Sequence, residues 1–191
     1  MNQSDLELAV ETLRRGGVVG VPTDTVYGIA ADPRHGRATK RLFTLKGRPD
    51  RKPVGLLVSD AVAAASMIEV PDYALGWVTK YWPGPLNLVG TALFELPEGL
   101  GDHARRTIGV RVPDHPVIMA LLGEFGPLAV TSANRSGGPE ALNEMEARAA
   151  LGEGVDLYLP GSCPGAVSST TVDVTGPAPI LLRPGPLDLG L

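Results

Sequence analysis

The residues with the clearest capacity for chemistry lie in short polar runs that interrupt apolar ones. The run Lys40 to Pro53, KRLFTLKGRPDRKP, places Lys40, Arg41, Lys46, Arg48, Arg51 and Lys52 around one predicted helix end. Lys46 and Arg48 flank a glycine and precede a proline, where a turning backbone lets side chains converge. Arg offers a bidentate fork and Lys a point charge, a combination suited to polyphosphate. Cations at a helix C-terminus also serve as ordinary dipole partners, so phosphate binding and a solvated basic face both remain open here. Residues 131–134, TSAN, follow directly on an apolar run and present hydroxyls and an amide. In open α/β sheets ligands bind beyond the carboxyl ends of strands, although Ser and Asn also make plain turns. The stretch 22–25, PTDT, has the same form after Val21. Arg111 falls within a strand pattern between Val110 and Val112, aimed either at solvent or at a ligand carboxylate. SSTTVD, 168–173, and LLRPG, 181–185, close the series, with Arg183 ending an apolar strand.

These runs supply hydroxyls and cations but no nucleophile beside its base. GSCPG, 161–165, has the outline of a nucleophile elbow, yet Pro164 lacks the N–H an oxyanion hole needs, so Cys163 reads as a loop thiol. His35, His103 and His115 show no metal-ligand spacing, and no protein-bound metal site is expected. Neither G-x-G-x-x-G after a strand nor G-x-x-x-x-G-K-[ST] occurs. The pattern suits a site that positions and neutralises an anionic ligand without a covalent intermediate.

The elements that must position these groups alternate between helix and strand. Helices are expected over 4–15, capped by Ser4 with Glu7, and over 36–46, 60–68, 72–82, 115–125 with Asp114 as N-cap, and 143–151 capped by Asn143 with Glu146. Strands are expected at 18–21, 53–58, 86–92, 108–112, 127–134, 155–159, 170–174 and 179–183. The strands are mostly all-apolar, which indicates an α/β sheet covered by helices. The 191 residues are 43% hydrophobic, enough for one domain with a real core. The formal net charge of −4 restricts any nucleic-acid contact to a local patch. The single cysteine allows no internal disulfide and suggests a cytoplasmic location; the acidic N-terminus does not read as a signal peptide, and no apolar run approaches the length a membrane span needs. The 160–169 loop, rich in Gly, Pro and Ser, is a candidate lid.

Seven of these stretches, PTDTVYGIAAD, LKGRPDRKP, WPGPL, VRVPDHP, TSANRSGG, SSTTVD and LLRPG, occur in an order and spacing that resembles the YrdC-like family, the threonylcarbamoyl-AMP synthases, over residues 5–186. The resemblance implies a single α/β domain with a twisted mixed sheet, helices packed on it and a concave basic cavity. It implies condensation of L-threonine, bicarbonate and ATP into threonylcarbamoyl-AMP and pyrophosphate. Mg²⁺ would arrive with ATP, and a separate complex would then transfer the threonylcarbamoyl group to tRNA. By motif, Lys46, Arg48, Ser132 and Asn134 would form the catalytic set. ATP would be held by Lys46, Arg48, Lys52, Thr107, Arg183 and the backbone of Ala133. L-threonine would be held by Thr25, Arg111, Thr131 and Ser169, with Arg111 on its carboxylate and Tyr27 as a wall of the pocket. Leu57 stands where some relatives have a histidine, and Asn87 where a threonine is usual. A non-catalytic RNA-binding relative using the same basic cavity is the alternative, and a carbamoyl-transfer domain of the kind found in hydrogenase maturation is a weaker third.

Overall fold

A computed structural model of the chain describes residues 2–47, 53–165 and 167–191. The elements run α1 (Gln3–Arg14), β1 (Val19–Val21), β2 (Gly28–Ala31), α2 (Gly36–Lys46), β3 (Gly55–Leu57), α3 (Ala61–Ala65), α4 (Asp72–Tyr81), β4 (Leu86–Thr91), β5 (Thr107–Arg111), α5 (Pro116–Phe125), β6 (Leu128–Ser132), α6 (Glu144–Leu151), β7 (Leu157–Tyr158), β8 (Thr170–Asp173) and β9 (Ile180–Arg183). Among the described residues the strands form one sheet ordered β7-β1-β2-β6-β3-β5-β4-β8-β9. The sheet is mixed: β1/β7, β3/β5 and β4/β8 pair in parallel, the other neighbours antiparallel.

The period of two along each strand explains where the site lies. In β4, Leu86 and Leu88 are fully buried while Asn87, Val89 and Thr91 are only partly covered. In β5, Ile108 and Val110 enter the main core, and Thr107, Gly109 and Arg111 face the other way. The main core also takes Ala38, Leu42 and Phe43 of α2, Ala74 of α4, and Ala147 and Leu151 of α6. On the opposite face, Ala9, Val10 and Leu13 of α1 and Ile118, Leu121 and Leu122 of α5 pack on Val19, Val21, Ala30, Leu57 and Leu128. That second core reaches β1, β2, β3, β6 and β7 but, among the described residues, no side chain of β4, β5, β8 or β9, so the face carrying Asn87, Thr107, Gly109 and Arg111 is left to line a cavity. Two glycines keep this floor level. A Cβ on Gly55 would lie 2.6 Å from Gly109 O, and one on Gly109 would lie 2.8 Å from Asn87 Nδ2.

Several local expectations change. The capping box of α1 uses Asn2 and Asp5 rather than Ser4 and Glu7. The N-cap of α5 is His115, whose Nδ1 accepts the Val117 N–H, because Pro116 opens the helix at N1. Asp114 instead donates its backbone N–H to Asp24 Oδ1. The 60–68 segment is helical only over Ala61–Ala65. The final strand, β9, is exposed at all four residues even though three are large aliphatics. Asn143 caps α6 with Glu146 as the spacing predicts.

A buried carboxylate ties β8 to the loop before β5. Asp173 is 3% exposed; its Oδ1 accepts from the Thr175 N–H and hydroxyl, its Oδ2 from Arg105 Nη2 at 2.8 Å. Burial pulls its carboxyl upward, but these donors outweigh burial and hold it below the usual carboxylate range. The folded group therefore titrates below the unfolded one. Its contribution is complete above about pH 4 and disappears as pH falls through the folded value. Asp173→Asn is expected to lose stability at neutral pH and to show a shallower loss on acidification, read as urea midpoints between about pH 3 and pH 7.

Candidate active site

A cavity of about 610 Å³ opens on the helix-free part of the sheet face, a volume in the range of small-molecule sites. It is lined by strand residues of β2, β3, β4, β5, β6, β8 and β9 and by parts of the loops around 23–26, 136–140 and 168–169. Its described charged lining consists of Lys46, Arg105, Arg111 and Arg183 against Asp102 and Glu140. Among the described lining residues there is neither histidine nor cysteine.

Lys46 is the last residue of α2, which Gly47 ends in a left-handed conformation at φ 57°. The helix end delivers a 5%-exposed ammonium to the end of β6. Lys46 Nζ donates to Ser132 O at 2.6 Å, Asn134 O at 2.9 Å, Asn134 Oδ1 at 2.9 Å and Ser132 Oγ at 3.2 Å. Ser132 Oγ donates to Asn134 Oδ1, and Asn134 Nδ2 to Gly138 O, both at 2.7 Å. Ser136 N–H closes the unit on the Lys46 carbonyl. Two motifs 86 and 88 residues apart thus form one hydrogen-bonded cluster around a positive charge. Arg48 and Lys52 lie outside the described residues. Arg51 lies outside them as well; of the remaining cations of the run, Lys40 pairs with Glu98, and Arg41 with Asp156 and the Gly154 carbonyl, away from the cavity.

Arg111 ends β5 and is 6% exposed. Its Nε donates to Gly84 O at 3.0 Å, its Nη1 to Thr25 Oγ1 at 2.9 Å and its Nη2 to Asp24 Oδ1. Burial lowers the guanidinium from its ordinary value while the Asp24 carboxylate opposes that shift. Three acceptors from two loops leave two of its five N–H groups for other partners. The Thr23 hydroxyl donates to Val26 O at 2.7 Å, so in the 3.1 Å Thr23–Thr25 contact the proton belongs to Thr25. Hydrogen bonds therefore run in one direction, from Arg111 to Thr25 to Thr23 to Val26. Asp24, the acid between the two threonines of PTDT, is the ion-pair partner of Arg111, its side chain 10% exposed.

Thr107, Thr131, Ser169 and Arg183 also line the cavity. Arg183 donates through Nε to Ser169 O and through Nη2 to Ser169 Oγ, both at 3.1 Å. Ala133 is fully buried off the lining, with its N–H committed to Tyr27 O. Tyr27 forms no wall of the cavity: it is fully buried on the other side, and its hydroxyl donates to Leu159 O at 2.5 Å. The reason is register, since Tyr27 directly precedes β2 and alternates away from Gly28. Leu57 and Asn87 both line the cavity.

Described residues of the candidate lid are tied to the neighbouring 140–143 segment. Cys163 N donates to Leu142 O at 2.7 Å, Asn143 bridges Ser162, and Ser168 Oγ donates to Glu140. Cys163 is buried, and burial pushes its thiol up against the opposing Thr23 N–H, the opposite of what a nucleophile needs. Arg105, Glu140, Ser168 and Thr23 were missed as site residues. Their partners are remote in sequence, and a charged or hydroxyl residue in a Gly- or Arg-rich loop carries no local sign of facing inward.

Comparison with known proteins gives a consistent placement. The Sua5/YciO/YrdC family model, described as "Telomere recombination", matches residues 11–185. A Mycobacterium tuberculosis H37Rv protein, named provisionally as a threonylcarbamoyl-AMP synthase, is 42% identical over 181 residues, 94% of this chain and 83% of its own. The threonylcarbamoyl-AMP synthase of Halorhodospira halophila is 36% identical over 166 residues, 86% of each chain. Among solved structures, Pyrococcus abyssi Sua5 complexed with L-threonine superposes with a TM-score of 0.92 at 31% identity over 100% of this chain. This chain spans 56% of that one. Escherichia coli YciO superposes at 0.90 with 29% identity, over 98% of this chain and 92% of its own. The chain belongs to the Sua5/YciO/YrdC family.

Proposed function

We propose that the protein is an L-threonylcarbamoyladenylate synthase, joining L-threonine, bicarbonate and ATP into threonylcarbamoyl-AMP with release of pyrophosphate. The observation that carries this reading is the cavity's division between two fixed cations. Lys46 is embedded in the Ser132–Asn134 cluster, and Arg111 is buried on the cavity lining with two N–H groups not taken by Gly84, Thr25 or Asp24. The first suits a phosphate chain and the second a carboxylate. The relatives named as threonylcarbamoyl-AMP synthases, and the related structure that holds L-threonine, support the same assignment.

The chemistry needs no covalent nucleophile. Threonine's ammonium gives up a proton, and the resulting amine joins bicarbonate to form a carbamate with loss of water. A carbamate oxygen then attacks the α-phosphate, and pyrophosphate leaves. Charge develops on phosphate oxygens, where Lys46, Arg48 and the Mg²⁺ carried by ATP would neutralise it. Arg111 would hold the threonine carboxylate, with Thr25, Thr131 and Ser169 around the amino acid and Thr107, Arg183 and Lys52 around the nucleotide. A hydroxyl-lined pocket selects threonine better than an apolar one, because an unmet hydrogen bond discriminates more than a missing methyl. A tRNA-modifying complex that consumes the product, with RNA contact at the cavity's basic rim, completes the proposal. Among the described residues no helix is long and apolar enough to cross a membrane.

Purified protein with ATP, bicarbonate and L-threonine is expected to release pyrophosphate, and omitting threonine should abolish the release. Folded protein that gives no threonine-dependent pyrophosphate would refute the proposal.

A further inference from the structure

Arg105 lines the same cavity and no motif accounts for it. Three observations set it apart from a solvated surface arginine. Its guanidinium is anchored from behind: Nη2 donates at 2.8 Å to Oδ2 of Asp173, whose side chain is 3% exposed and whose Oδ1 is held by Thr175. Its backbone is fixed: Asp102 and Thr107 exchange two hydrogen bonds, at 2.7 and 3.1 Å, that close the loop carrying it, and the Arg105 N–H donates to Asp102 Oδ1. The loop is also strained, with Arg106 at φ 53° in a region that non-glycine residues seldom occupy. Such outliers persist where surrounding structure enforces them, often at ligand sites. The side chain nevertheless remains 55% exposed, so most of its fork is open toward the cavity.

The sheet register places this cation. Val130 pairs with Gly55, and Leu56 with Val110. Gly109 is therefore level with Gly55 and Val130, and two residues further along, Ser132 and Thr107 come to the same end of the sheet, on either side of β3. At a strand spacing of about 4.8 Å they are roughly 10 Å apart. Arg105 stands in the loop just before Thr107 and its guanidinium reaches Asp173 on β8, so Lys46 and Arg105 border the cavity from its β6 and β8 sides. Arg111 occupies the other end of β5. An extended polyanion spanning the floor between β6 and β8 would meet a cation at each side, whereas a single carboxylate would meet one.

We propose that Arg105 is a binding residue for the polyphosphate of the nucleotide, held in place by Asp173, and that it makes no contact with the amino acid. This rests on the synthase reading for the identity of the nucleotide as ATP, but its test reads binding alone. The intact chain and its Arg105→Ala and Asp173→Asn variants are titrated calorimetrically with ATP and Mg²⁺, and separately with AMP. Arg105→Ala should weaken ATP by about tenfold or more, the loss of one charge-assisted hydrogen-bonding group. AMP affinity should stay within about twofold, and Arg105→Lys should recover part of the loss, since it keeps the charge and loses the fork. Asp173→Asn should weaken ATP less than Arg105→Ala does. ATP affinity unchanged in folded Arg105→Ala, or equal losses for ATP and AMP, would overturn the proposal. A protein that binds ATP in this Arg105-dependent manner but releases no threonine-dependent pyrophosphate would instead defeat the synthase reading and leave the role of Arg105 standing.

Discussion

Arg111→Ala is expected to raise the threonine KM by about a hundredfold or more while leaving the ATP KM within about threefold, because two charge-assisted hydrogen bonds to a carboxylate are lost in a water-poor site. The geometry makes this split sharp. Arg111 is held by Gly84 O, Thr25 and Asp24, all on its own side of the cavity, and touches nothing in the Lys46 cluster. The substitution also strips Asp24 of its partner while the carboxylate stays buried, and leaving such a charge uncompensated costs about 3–5 kcal/mol of stability. Binding and stability are separable by the double variant Asp24→Ala/Arg111→Ala. Removing both charges should restore much of the melting temperature, and threonine affinity should not return. Equal losses for threonine and ATP in a folded Arg111→Ala protein would undo the assignment of Arg111 to the amino acid.

Lys46→Ala should lower kcat/KM for ATP by about a hundredfold, in line with about 2–3 kcal/mol for a cation facing developing phosphate charge. This variant carries a structural cost as well. The ammonium is 5% exposed and donates to the backbone carbonyls of Ser132 and Asn134 and to both of their side chains. Leaving buried acceptors unmet costs about 1–3 kcal/mol. Lys46→Arg tests whether charge alone suffices. A guanidinium is broader than an ammonium and cannot occupy the same four-oxygen cage, so stability should fall even though the charge is kept. Chemical denaturation of Lys46→Ala and Lys46→Arg beside steady-state ATP kinetics separates the two effects. Full activity in Lys46→Ala would remove Lys46 from the phosphate site.

The alternation of apolar strands and amphipathic helices made the α/β architecture legible in the chain, and hydroxyl- or cation-bearing ends of strands and of one helix marked Lys46, Ser132, Asn134, Thr25 and Arg111. Their grouping was less legible. The basic run around Lys46 has the look of one patch, yet Lys40 and Arg41 are drawn off by Glu98 and Asp156, carboxylates far along the chain. Asp24 sits between two threonines and reads as a turn residue; only the fold brings Arg111, 87 residues away, onto it. Arg105 has the same character. As half of an Arg-Arg pair it looks solvated, and the buried Asp173 that fixes it lies 68 residues downstream. Tyr27 was misplaced for a smaller reason, a one-residue step that sends it to the opposite face from Gly28. Patterning thus reports which face a residue occupies, but not which remote charge it meets there.

The most direct test of the synthase assignment is product formation from labelled bicarbonate. Protein, ATP, Mg²⁺, L-threonine and ¹⁴C-bicarbonate should yield a labelled nucleotide with the mass of threonylcarbamoyl-AMP, formed in step with pyrophosphate and lost in Arg111→Ala. ATP cleavage with no label entering a nucleotide product would contradict it.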